Sequence, residues 1–198
     1  MTPHRKAPRT LGALLLALTL ALPAAAQTTQ SAAAHISIDN FGRVNANYFR
    51  GAQPEGGDYA DLKTLGVKTV IDLTKDGDVS EPGLVQKLGM KFFRIPMTTH
   101  DTPSAATLEQ FLSIVNDPAN QPVYVHCQGG RHRTGLMTAV YRMSDEGWTP
   151  DRAFAEMKQY KYGPDFLHPE FKTFVFGYHP AQRATPPSAI VATTIPGR

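Results

Sequence analysis

Residues 122–135 read PVYVHCQGGRHRTG, and this run decides the fold. Its first five residues are mostly apolar and rich in β-formers, the pattern of a strand. Gly129 and Gly130 follow as a turn. From Thr134 onward, Leu136, Val140 and Met143 fall on one stripe of a helix that stops at Gly147. A strand, a glycine-bearing turn and a helix make one unit of an α/β sheet.

The same alternation continues outward. Residues 67–73 (VKTVIDL) are β-branched and bounded by Gly66 and Lys75-Asp76-Gly77, and residues 91–96 (KFFRIP) form a second strand. Between that strand and 122–126 a helix is expected, with Thr102 as its cap, Pro103 at its first position and Leu108, Phe111, Leu112 and Val115 at helical spacing. Another helix opens at Thr149-Pro150-Asp151 with Phe154 and Met157 inward. A last one, over 169–178, carries Phe171, Phe174 and Val175. No internal repeat or long linker interrupts them. The expected architecture is therefore a single α/β domain over 36–179, with a central, mostly parallel sheet flanked by helices. Asp72, inside an apolar strand, is expected to be a buried, hydrogen-bonded structural carboxylate, and Trp148 to be core.

The two ends read differently. Residues 1–26 hold His4, Arg5, Lys6 and Arg9, then a 12-residue stretch of mainly Leu and Ala over 11–22, then Pro23-Ala24-Ala25-Ala26. Basic start, apolar middle and small-residue cleavage site, in that order, predict a secretory signal cut after Ala26 and a secreted or periplasmic protein. Twelve residues are too few for a membrane-spanning helix, which needs about 20, so no stable membrane anchor is expected. Residues 27–35 read as a flexible lead-in, and 180–198, rich in Pro, Ala and Thr, as a disordered tail.

Charge follows the same division. The 198 residues carry 20 Lys and Arg against 17 Asp and Glu. All three surplus charges (Arg5, Lys6, Arg9) sit in the signal, so the rest is balanced, which argues against nucleic acid as a partner. Cysteine occurs once, which excludes an internal disulfide and any Cys-rich zinc site. The seven histidines form no HExxH or other close ligand pair in sequence, so neither metal nor cofactor is expected.

That one cysteine, Cys127, stands where the strand meets the turn. Backbone N–H groups of a glycine turn and the dipole of the following helix favour an anion there, and the same field favours a thiolate over a thiol. Arg133, six positions on, can grip two phosphate oxygens with its planar fork. Thiolate, amide cradle and arginine together make a site for covalent phosphoryl transfer. Gln128, Gly129, Gly130, Arg131, His132 and Arg133 are expected to line the bound phosphate.

The run His126-Cys127-x-x-Gly130-x-x-Arg133-Thr134 resembles the HC-x2-G-x2-R-[ST] signature of cysteine-dependent protein tyrosine and dual-specificity phosphatases. With Arg131-His132-Arg133-Thr134-Gly135, it is most similar to the atypical dual-specificity phosphatases of plants and fungi and their bacterial relatives. Residues 40–44 (NFGRV) and 48–51 (YFRG) resemble that group's first strand region. The resemblance implies a protein-tyrosine-phosphatase-like fold of the dual-specificity type, Cys127 as nucleophile and Arg133 as phosphate binder. Thr134 would help the thiolate leave, and His126 would orient the loop and favour the thiolate. It also implies an acidic residue on a separate loop as general acid. Asp101 is the only carboxylate of the segment 98–103 and takes that role, with His100 as second choice.

The expected activity is hydrolysis of phosphate monoesters, such as phosphotyrosine, through a phosphocysteine intermediate. A second cation at Arg131 raises the alternative of a phosphoinositide or inositol-polyphosphate substrate. A catalytically weak phosphate-binding module is the more distant alternative. Arg50 is expected to be either a substrate contact or a plain surface charge.

Overall fold

Pairing along residues 122–126 organises the computed structural model, which describes residues 36–180. The expected signal segment, the lead-in and all but the first residue of the expected tail lie outside the described residues. In chain order the elements are β1 (Gly42–Asn45), β2 (Tyr48–Gly51), α1 (Asp58–Thr64), β3 (Thr69–Thr74), α2 (Glu81–Lys87) and β4 (Lys91–Met97). They are followed by α3 (Ala105–Asn116), β5 (Val123–His126), α4 (His132–Asp145), α5 (Pro150–Gln159) and α6 (Pro169–Gly177), with a 3₁₀ turn at Asp165–Leu167 before α6.

The sheet runs β1-β2-β5-β3-β4. Only the β1–β2 hairpin is antiparallel; β2 and β3 flank β5 in parallel, and β4 continues parallel beyond β3. This is the mostly parallel α/β sheet expected. Both faces are covered, as parallel sheets require. Val123 and Val125 face one core, with Leu136, Met137, Phe154 and Phe171 from the later helices, and Cys127 continues that face. Tyr124, between them, faces the other core with Phe49, Tyr59, Leu62 and Val85. Alternation along β5 thus sends Cys127 to the α4 side and His126 to the α1–α2 side.

α4 is buried from Arg133 through Met143. Leu136, Met137 and Val140 are fully sequestered, each contributing roughly 1.5–3 kcal/mol of apolar burial. The chemistry-bearing loop is therefore held between the central strand and the most buried helix.

Local differences from expectation have simple causes. α3 starts at Ala105 rather than Pro103, because Ser104 is the residue whose hydroxyl accepts the Thr107 N–H, at 3.1 Å. α4 begins two residues before Thr134, at His132. Trp148 is half-buried rather than core, lying between the guanidinium groups of Arg142 and Arg152, 4.1 and 3.6 Å from its ring. α1 and α2, seven residues each, are too short to show a period, and neither has a side-chain cap.

Candidate active site

Cys127 follows directly on β5 and is 3% exposed. With Thr99, Gln128, Gly129, Arg131, His132 and Arg133 it lines a cavity of about 240 Å³. A second cavity, of about 440 Å³, adjoins it and shares Thr99, Gln128 and Arg133, adding Lys75, Asp76, Met97 and Thr98.

The loop's shape is set from behind. Gly130 carries a φ of +63°, and a Cβ there would come 2.4 Å from the Gly51 carbonyl carbon, so glycine is required on both counts. Its carbonyl accepts from Arg50 Nη2 and from Asn40 Nδ2, both at 2.8 Å. The Gln128 carbonyl accepts the Gln53 N–H at 3.2 Å. In a trans peptide the N–H points opposite to the C=O. Turning these two carbonyls back toward β2 and the segment after it therefore turns the Arg131 and Gly129 N–H groups to the other side, the side of the cleft. The start of α4 adds its free N–H groups. This is an anion cradle built from backbone.

Arg133 is nearly buried and donates from Nη1 to the Met97 carbonyl at 3.2 Å, which ties the guanidinium to the end of β4. Its Nε has no partner within the protein, and the Thr134 hydroxyl is likewise buried without a hydrogen bond. Both polar groups are thus free for an occupant of the loop. Arg131 is half-exposed at the rim and lies 3.9 Å from Asp39. His132 also lines the cleft, and its Nε2–H donates to the Tyr162 carbonyl at 3.0 Å. Its pKa is lowered, first by burial and then by the neighbouring His168 and the cations Arg131 and Arg133.

His126 lies on the other face of the sheet. Its Nε2 stands 2.9 Å from Glu81 Oε1, off the in-line direction of a hydrogen bond, and its ring stacks on Tyr124. Its ring therefore does not face the thiol, and any influence on the loop must pass through the strand's backbone. Asp72 is the buried structural carboxylate expected, accepting from Thr74 and from Arg94 Nε at 2.8 Å.

Asp101 is exposed and turned onto Thr98, whose hydroxyl it accepts at 2.8 Å. From this loop it is Thr99 that lines the cavity of Cys127. His100 faces Glu170, not the loop. The carboxylate that lines a cavity together with Arg133 is Asp76. In the sequence Asp76 served only as the stop signal after a strand, and nothing there marked it as facing the site.

Arg50 is neither the substrate contact nor the surface charge expected. It is fully buried behind the loop, its guanidinium 3.9 Å from the centre of the Tyr160 ring. Burial lowers its pKa, opposed by Tyr48, Glu156, Tyr160 and Cys127. The fold also brings His100, His168 and Glu170 together, with one ligand atom of each within 4.8 Å of the others. Sequence spacing gave no sign of that cluster.

Against known proteins, a family model described as "DSP-PTPase phosphatase fused to NAD+ Kinase" matches residues 23–171. The dual specificity protein phosphatase TpbA of Pseudomonas aeruginosa is 30% identical over 158 residues, which cover 78% of this chain and 71% of that one. The inositol diphosphatase SIW14 of Saccharomyces cerevisiae is 28% identical over 133 residues, 64% of this chain and 47% of that one. The crystal structure of TpbA superimposes with a TM-score of 0.62 at 27% identity, covering 72% of this chain and 86% of that one. That of the SIW14 core superimposes at 0.63 and shares the fold.

Proposed function

The chain belongs to the dual-specificity (DSP-PTPase) family of cysteine-dependent phosphatases, and from that premise we propose how its residues divide the work. Cys127 Sγ attacks phosphorus, forming the S–P bond as the ester P–O bond breaks. The loop N–H groups and Arg133 hold the equatorial oxygens, where charge is greatest in the transition state. Asp101 swings off Thr98 to give the leaving oxygen its proton, then takes a proton from the water that attacks the phosphocysteine. Phosphate departs, and the Thr134 hydroxyl, otherwise unpartnered, donates to the departing thiolate. His126 positions the loop through its backbone. No metal or organic cofactor takes part in these steps.

The observation that carries this reading is the pair of carbonyls, on Gln128 and Gly130, bonded from behind so that the loop's N–H groups face the cleft. The substrate class proposed first is a phosphotyrosine-type monoester on a protein. One observation favours the second class, phosphoinositides or inositol polyphosphates: Lys75 and Arg131 put additional cations on the two adjoining cavities. Residues 1–26 are proposed to direct the protein out of the cytoplasm, into the periplasm or beyond.

The test is turnover by the purified protein lacking residues 1–26. Aryl phosphate should be hydrolysed in the presence of a chelator, and Cys127→Ser should reduce the rate at least 10³-fold. Phosphate binding without turnover by the unsubstituted protein would establish a binding module instead. A side-by-side assay of phosphotyrosyl peptide, phosphoinositide and inositol hexakisphosphate separates the substrate classes.

A further inference from the structure

We propose that His100, His168 and Glu170 form a binding site for a divalent cation of zinc chemistry, which locks the loop carrying Asp101 against the start of α6. His168 Nδ1 lies 3.4 Å from Glu170 Oε1, and His100 Nδ1 lies 3.6 Å from the same oxygen. Both separations exceed an N–H···O hydrogen bond, about 2.7–3.2 Å. They match the edge of a coordination tetrahedron, because zinc bonds of about 2.0–2.2 Å set ligand atoms roughly 3.3–3.6 Å apart. An octahedral magnesium ion at about 2.0–2.1 Å would need neighbouring ligands about 2.8–3.0 Å apart and oxygen donors besides. Two imidazoles and one carboxylate, with the fourth position left to water, suit zinc on both counts.

A second observation points the same way. His168 Nδ1 and Glu170 Oε1 are buried atoms with no hydrogen-bond partner, a condition that native proteins relieve with water or an ion. The other cluster of this kind, Asp72, Glu81 and His126, also holds buried atoms without a hydrogen-bond partner, but Arg94 lies 2.8 Å from Asp72 there and already supplies a cation. No Lys or Arg pairs with Glu170 among the described residues. His168 is also held in place, its ring 3.8 Å from that of His132 and stacked on Phe171.

The three ligands come from two sides. His168 and Glu170 belong to the start of α6, whereas His100 sits in the loop after β4, next to Thr99 in the cleft and to Asp101. A cation joining them fixes this loop with Asp101 held on Thr98 and away from the cleft. Zinc should therefore bind once per chain and slow turnover reversibly. The slowing rests on Asp101 being the acid, whereas the binding does not.

The experiment uses untagged protein carrying Cys127→Ser, so that no thiolate can take the metal. Zinc titration by calorimetry should show one site, and cobalt should give the visible bands of a four-coordinate ion without a thiolate charge-transfer band. Exposed His100→Ala and isosteric Glu170→Gln should each weaken zinc binding at least tenfold with the fold intact. In protein with Cys127 intact, zinc should inhibit hydrolysis of phenyl phosphate, whose leaving group needs the acid, and Glu170→Gln should need at least tenfold more zinc for the same inhibition. Absence of stoichiometric binding, or binding that is unchanged in both variants, would overturn the site. Binding that leaves turnover untouched would overturn the locking. An unsubstituted protein without phosphatase activity would count against the proposed function, while the calorimetry on Cys127→Ser would still decide the site.

Discussion

Glu81 Oε1 stands 2.9 Å from His126 Nε2, and neither side chain is reached by solvent. Glu81 opens α2, a helix of seven residues, and His126 ends the central strand one position before the nucleophile. The carboxylate also accepts from the Tyr59 hydroxyl at 3.2 Å. Removing one member of such a buried group leaves the others desolvated and unpaired, at a cost of about 3–5 kcal/mol. Glu81→Ala is predicted to lower unfolding free energy by about 3 kcal/mol in urea titration. A loss below about 1 kcal/mol would show that the pair does not hold α2 to β5.

The rear packing of the loop makes a contrast between its two glycines. Alanine at Gly130 must adopt a left-handed φ, at roughly 1–2 kcal/mol, and its Cβ would meet backbone of Gly51 at 2.4 Å. At Gly129 the nearest atoms are the flexible side chain of Arg131, at 3.5 Å. Gly130→Ala is predicted to cut kcat/KM for an aryl phosphate at least 100-fold, and Gly129→Ala less than tenfold. Equal losses would mean that the amide orientation does not depend on the Gly51 contact.

Arg50 puts a buried cation behind the same loop, and no carboxylate pairs with it among the described residues. Its Nε and Nη1 have no hydrogen-bond partner. A buried charge without a partner is costly unless an anion sits nearby, and the phosphate dianion proposed for the loop would be that anion. Arg50→Gln, which keeps a donor for the Gly130 carbonyl but drops the charge, is predicted to raise the inhibition constant for inorganic phosphate about tenfold. Arg50→Lys should recover most of that affinity. Failure of lysine to do better than glutamine would assign Arg50 to packing alone.

What the sequence made legible depended on range. The strand at 122–126, the turn glycines and the stripe of α4 are local patterns, and they sufficed for the sheet and for placing Cys127 and Arg133 on one cavity. Ser104 took the cap from Thr102 because the choice lay in which hydroxyl reached an N–H, a matter of backbone geometry rather than residue type. Arg50 was misplaced, and Glu81 and Asp76 were missed, for a different reason. Arg50 reaches the loop across 80 positions, to Gly130, and only the parallel pairing of β2 with β5 brings it there. Glu81 meets His126 because α2 packs over the opposite face of the sheet in which β3 and β5 are neighbours. A charged residue shows its type in sequence but not which side of a sheet it faces.

Two carboxylates remain in competition for the proton of the leaving group. Asp101 follows β4 on the loop that supplies Thr99 to the cavity of Cys127, but its own carboxylate accepts from Thr98. Asp76 already lines a cavity with Arg133 and Gln128. Resting geometry does not decide a general acid, because such contacts often form only with substrate bound. Leaving-group dependence does. An acid contributes about 10²–10⁴-fold when the leaving oxygen is strongly basic and little when it is already a good leaving group. Asp101→Asn is predicted to lower kcat/KM, which reports only the step in which the leaving group departs, at least 100-fold with phenyl phosphate and less than tenfold with 4-nitrophenyl phosphate. Asp76→Asn should change both substrates alike and mainly through KM, because a carboxylate beside Arg133 sets the charge of the cleft whichever group leaves. If the leaving-group dependence appears in Asp76→Asn instead, the proton comes from the loop after β3, and Asp101 serves only to shape its own turn with Thr98.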